Sequence, residues 1–295
     1  PSHIHWPIAR ELTSFGGWSF VAQLADTIRT SADALILNKL GTPLDVTCFH
    51  LGSLPMKHTQ STVIALRRPL QPSMVALHAT GDTQRLARLY FKGGRYGLWG
   101  VQLLVLPLII FSREFVTLYV GFKFAQAAVV MSLLLATLPI AYGNMLLPHF
   151  ANATGQMKPW AIRAAFLHLA NLALTFYLVG SLKMGATGCA LATFSSTLVF
   201  NPLFMWPLGL RLAGVSKRAW FQRTLLPGFL PALFATALWV LCKWGARPES
   251  WTGLAAGVVP GILLYLFILY FCLQDEDKRY VRLVWKRIRK YLFCI

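Results

Sequence analysis

Taken as a pattern of apolar and polar positions, the chain falls into eight stretches of bilayer length, since about 20 mostly apolar residues in a helix cross the hydrocarbon core. Six are strongly apolar: the run ending near Phe111, then 125–147, 160–180, 185–210, 225–245 and 252–273. In 185–210 the small residues Gly185, Gly188, Ala190 and Ala192 recur, so close helix approach is expected there.

The first two stretches are different in kind. In 14–37, Ser19, Ala22, Gln23, Arg29, Thr30 and Asp33 lie within about 60° of Asp26 on a helical wheel, with Gly17, Phe20, Val21, Leu24, Ile28 and Leu35 opposite. Charge at the bilayer centre costs roughly 2.5–3.5 kcal/mol per residue, so this face must pair internally or meet water. The spacing allows pairing of Arg29 with Asp26 (i,i+3) or Asp33 (i,i+4), yet one acid is left over to take a proton, meet a cation or find Lys57. In 46–66, His50, Ser53, Lys57, Gln60 and Ser61, with Arg68 further on, form a second polar face on a helix that Pro55 is expected to kink. Both faces read as the lining of a polar pathway, against the plainer alternative of a purely structural ion pair.

Between the spans, residues 1–13 read as an interfacial segment with Trp6 and Arg10 in the headgroup layer. Gly81-Asp82 opens a basic loop carrying Arg85, Arg88, Lys92 and Arg95, and 113–124 reads as a mixed turn. The end of the chain, 274–295, sets Val281, Val284 and Ile288 against Arg282, Lys286, Arg287, Arg289 and Lys290, the pattern of a basic amphipathic helix on a membrane surface. Asn144, Asn171 and Asn201 fall inside spans and read as interhelical hydrogen-bond partners.

Composition agrees with this pattern. Hydrophobic residues make up 56% and charged residues 13% of the 295, with mean hydropathy +0.55, which points to an integral membrane protein. The net charge of +18 would suggest nucleic acid in a soluble domain. Counted by alternate loops from a cytoplasmic N-terminus, 20 of the 28 Lys and Arg fall inside and 6 outside, with Arg29 and Lys57 within the membrane. The charge is therefore a topology signal that places both termini in the cytoplasm, and no nucleic-acid partner is expected.

Chemistry is sparse. The five cysteines lie in or beside apolar segments without metal spacing, and no phosphate-cradling loop, nucleophile elbow, HExxH or catalytic carboxylate pair occurs. Neither an enzyme nor a metal site is expected.

Four segments carry a resemblance: FGGWSFVAQLADTIRTSADALIL, RPLQPSMVALHATGDTQRLARLY, ANATGQMKPWAI and MGATGCALAT. Together they resemble the oligosaccharide flippases of the MATE-like exporter superfamily, the O-antigen and polysaccharide translocases. Asp33 before Leu40-Gly41, Pro72 before Gly81-Asp82, Ala153-Thr154-Gly155 with Lys158-Pro159, and Gly185 to Thr193 occupy the matching places. The resemblance implies two six-helix lobes around a central cavity, with two further helices in many members. On that scale the eight spans are similar to a second lobe (14–210) plus two extra helices (211–273), followed by the basic tail (274–295). With Pro1 standing where an initiator Met would, the expectation is a piece of a longer protein.

The implied activity is translocation of an undecaprenyl-diphosphate-linked oligosaccharide across the bacterial inner membrane. A polysaccharide polymerase and glycosyltransferases are then the natural partners beside the phospholipid membrane. Arg29, Lys57 and Arg68, with Gln23, Thr30 and Gln60, are the candidates for the substrate cavity. Asp26 and Asp33 are candidates for a coupling H⁺ or Na⁺, with no other cofactor. The alternatives are a drug/cation antiporter of the same superfamily, disfavoured by Arg29 and Lys57, and a membrane scaffold that transports nothing.

Overall fold

The computed structural model describes residues 6–246, 248–274 and 277–278. It is all-helical, 89% helix, without a strand among the described residues. Most of the proposed tail helix lies outside the described residues.

Two long polar helices come first, α1 (Trp6–Leu40) and α2 (Pro43–Arg67), so residues 6–13 are the opening turns of α1. A short α3 (Leu70–Ala79) leads to α4 (Thr83–Ile110). Here the expectation of a basic loop is corrected: Arg85, Arg88, Lys92 and Arg95 lie on α4, not in a loop. The Asp82 carboxylate accepts the Arg85 backbone N–H and caps the helix start, so the turn closes within a few residues. The mixed turn after Phe111 is likewise mostly helix, α5 (Ser112–Val120).

α6 (Gln126–Tyr142) is apolar on all sides and sits at the centre, against α2, α4, α5 and α9. A helix without a polar face is stable only when surrounded. It breaks at Gly143 and continues after a 42° bend as α7 (Leu147–Ala153). α8 (Met157–Thr175) runs through a π-helical turn to Ser181. α9 (Gly185–Phe200) passes through another, Asn201–Met205, into α10 (Trp206–Leu212). α11 (Lys217–Trp220) leads by a third such turn into α12 (Leu226–Ala246), and α13 (Trp251–Cys272) follows.

Five helical runs are long and apolar enough to cross a membrane, or six when α6 and α7 are taken as one bent span. These are the helices of a multi-pass membrane protein. α1 and α2 are long enough but too polar to meet the same criterion.

The breaks satisfy one another. Asn144, in the bend after α6, donates to the Met205 carbonyl at the π-helical turn before α10, while its own oxygen accepts the Tyr90 hydroxyl of α4. Backbone groups freed by irregular turns need partners in an apolar medium, and the Asn144 amide supplies one to the Met205 carbonyl while also accepting a buried hydroxyl. Met131, Leu135 and Leu138 of α6 anchor the main core with α2 and α4. Trp239, Tyr265 and Phe111 form a separate core that holds α12 and α13 to the end of α4. The small residues Gly185, Gly188, Ala190 and Ala192 are all buried.

Candidate polar site around α1, α2 and α8

The apolar side of α1 is exposed at Phe20, Val21, Leu24, Ile28 and Leu35, while its polar side is divided, with Ala22 buried, Ser19 half-buried and both Asp26 and Asp33 near α8. Gln23 and Asp26 are exposed, and the side chains of Arg29 and Thr30 lie outside the described residues, as does the proposed Arg29 pairing. Asp33 is buried at 4% exposure, with the Thr175 hydroxyl of α8 turned toward its carboxylate at 3.5 Å. The two acids thus occupy opposite environments on one helix. On α2, Lys57 and Arg68 are exposed while Gln60 is half-buried.

Gln60 reaches a half-open cavity of about 210 Å³ bounded by α2, α6, α8 and α9. Its polar walls are Thr137, His168, Asn171, Thr193, Ser196 and Asn201. Asn171, 3% exposed, donates from Nδ2 to Thr193 Oγ1 at 3.3 Å, and its Oδ1 has no hydrogen-bond partner among the described residues. A buried acceptor left in that state costs about 1–3 kcal/mol, so the cavity favours a small hydrogen-bonding or hydrated guest. His168 joins the cavity to the polar side of α1: its Nε2 is 3.9 Å from Asp26 Oδ1, an ion pair when the imidazole is protonated.

Of the residues singled out in the sequence, Gln60, Asn171 and Asn201 line the cavity and Asp26 reaches it through His168. Gln23, Lys57, Arg68 and Asp33 do not line it. Asn171 bridges α8 and α9 as expected. Asn201 does not bridge helices in the expected way: its side-chain amide donates to the Thr197 carbonyl on its own helix, which also accepts the Asn201 backbone N–H. No group of three or more His, Cys, Asp or Glu side chains comes together among the described residues.

Two charged clusters escaped the sequence reading. Asp45 closes a capping box with Thr42 at the start of α2 and also accepts from the Ala186 backbone N–H at 3.0 Å and from Gln126 at 3.3 Å, clamping α2, α9 and α6. The Thr-x-x-Asp spacing was a readable signal for the cap, but nothing local points to the other two helices. Asp277, beyond α13, accepts from Arg95 at 2.9 Å and lies 2.7 Å from Lys92. Burial raises its pKa, but hydrogen bonds from Lys92 and Tyr96 and the charges of Lys92 and Arg95 more than offset this and hold the carboxyl below its ordinary value.

No family model, curated protein or solved structure matches the chain.

Proposed function

We propose that the chain forms the second lobe of a flippase that carries an undecaprenyl-diphosphate-linked oligosaccharide from the cytoplasmic to the outer leaflet of a bacterial inner membrane. The observation that carries this reading is the exposure of the polar side chains Gln23 and Asp26 on α1 and Lys57 and Arg68 on α2, beside helices apolar enough to lie in lipid. In hydrocarbon such exposure is costly, and a matching lobe across a water-filled cavity removes the cost. α1 and α2 then make seven and eight of the spans.

In this reading Arg29, Lys57 and Arg68 meet the diphosphate or acidic sugars, and Gln23, Thr30 and Gln60 meet sugar hydroxyls. Asp26, through His168, and the buried Asp33 serve H⁺ or Na⁺ coupling. A polymerase and glycosyltransferases work on the same glycan before and after it crosses, for O-antigen or related polysaccharide biosynthesis.

The test is Lys57→Ala/Arg68→Ala in the full-length transporter, scored for membrane abundance and surface glycan together. Both residues are exposed, so abundance should hold while surface glycan falls. Normal surface glycan at normal abundance would reject the reading. Arg29→Ala gives a second arm: low abundance restored by Asp33→Asn would assign Arg29 to structure and remove it from the substrate cavity.

A further inference from the structure

At the end of the bundle where α4 gives way to α5 and α12 to α13, a wide cavity of about 860 Å³ is lined by Arg113, Glu114, Lys243, Trp244 and Glu249, among others. Its charges are mixed in a particular way. Lys243 Nζ lies 3.0 Å from Glu114 Oε2 and also donates to the Ile110 carbonyl at the end of α4, so these two side chains neutralise each other. Arg113 and Glu249 remain, one of each sign, exposed and without an ion pair among the described residues.

The position of the cavity says what meets it. Only 28% of the most apolar stretch of the run ending in α12 and 22% of that of α13 is buried within the protein, so their outer surfaces face acyl chains. Around the cavity mouth, Trp244 is 78% exposed, and Tyr119, Phe122 and Trp251 are exposed as well. Amphipathic aromatic side chains gather at the membrane–water interface, which sets this cavity at headgroup depth. Leu241, one turn before Trp244, is also exposed and offers an apolar wall toward the bilayer.

We propose that this cavity binds the headgroup of an amine-bearing zwitterionic phospholipid, a phosphoethanolamine. Arg113 takes the phosphate through its planar fork, and Glu249 accepts N–H bonds from the ammonium. The acyl chains lie along the exposed apolar side of α12. A choline headgroup has no N–H to give Glu249, and a glycerol headgroup has no positive charge to set against it. The site is separate from the exposed polar side chains of α1 and α2 and does not depend on the transport reading.

The test uses the full chain in mixed bilayer discs containing equal amounts of phosphatidylethanolamine, phosphatidylcholine and phosphatidylglycerol, with the retained lipids counted by native mass spectrometry. A partly exposed ion pair made only by the amine should enrich the ethanolamine lipid about fivefold over the other two. Glu249→Gln should abolish that preference, and Arg113→Gln should reduce retention of all three. Both positions are exposed, and a thermal melt confirms that the variants stay folded. Equal retention of the three lipids by the unaltered protein overturns the proposal without any variant. A preference that survives Glu249→Gln overturns it too.

Discussion

Arg95 on α4 and Asp277 beyond α13 stand 182 positions apart in the chain and form a 2.9 Å salt bridge in which each side chain is only 2% exposed. The bridge is well supported. Tyr96 donates to the other carboxylate oxygen, Gln274 accepts from the guanidinium at 3.3 Å, and the guanidinium lies 5.3 Å above the Trp99 ring. Trp99 in turn donates to the Pro227 carbonyl of α12, and Tyr265 of α13 donates to the Trp99 carbonyl. The charge pair thus ties the start of the C-terminal segment to α4, beside the Trp99 hydrogen bonds and the Trp239–Tyr265–Phe111 core that hold α12 and α13.

Breaking that joint from one side should be costly. Asp277→Ala leaves Arg95 buried and uncompensated, for a loss of about 3–5 kcal/mol. Replacing both partners by apolar residues, Arg95→Leu with Asp277→Leu, should recover most of that loss. Melting of the purified protein in detergent reads both. A double variant no better than Asp277→Ala would show that the charge pair is not what holds the joint.

The same carboxylate sets an acid limb. Because its folded pKa lies below the unfolded value of about 3.9, the folded state binds fewer protons near that pH, and stability rises with pH there. Its contribution is complete above the unfolded value and is lost as pH falls through the lower folded one. Melting temperatures measured from neutral pH down to about 3 should show a shallower acid decline in Asp277→Asn than in the unaltered protein.

Asp45 makes a second joint, at the start of α2. Asp45→Ala removes a helix cap and two interhelical bonds and should destabilise by about 2–3 kcal/mol, with Asp45→Asn intermediate because an acceptor remains. Hydrogen exchange should quicken at the start of α9 as well as α2. Gly185→Ala should act on the same joint, since Gly185 has φ +55° and a Cβ there would run into the Asp45 carboxylate.

The contact of α12 with α13 depends on one missing methyl group. A Cβ at Gly261 would collide with the indole of fully buried Trp239, which donates to the Val258 carbonyl at 2.8 Å. Gly261→Ala should cost about 1–3 kcal/mol by overpacking, measured by melting. Gly257→Ala, where the nearest atoms are those of the Phe111 ring at 3.2 Å, should cost less.

The charge partition makes a topological prediction. Single cysteines placed at Arg88 or Lys217 in an otherwise cysteine-free chain should react only from the cytoplasmic side, and one at Lys123 only from the other. Labelling of Arg88→Cys from the outer face would reject the partition.

What the sequence determined by itself was the helical, membrane-spanning character, because an apolar run of bilayer length has few other ways to satisfy its backbone in lipid. The spans 160–180, 185–210 and 252–273 lie close to Met157–Ser181, Gly185–Leu212 and Trp251–Cys272 for that reason. The division of α1 into a polar and an apolar side needs only local spacing, but which side meets the bundle was not legible: Ala22 and Asp33 of the polar side are buried and Phe20, Leu24 and Ile28 of the apolar side are exposed. Tertiary structure decided the rest. Whether Arg95 was a loop charge or a buried one depended on Asp277 at the far end of the chain, and whether Asp45 only capped its own helix depended on Ala186 and Gln126. The cavity that Gln60 shares with His168 and Asn171 exists only where four helices meet, and no spacing along one helix encodes which faces of its neighbours will close around it.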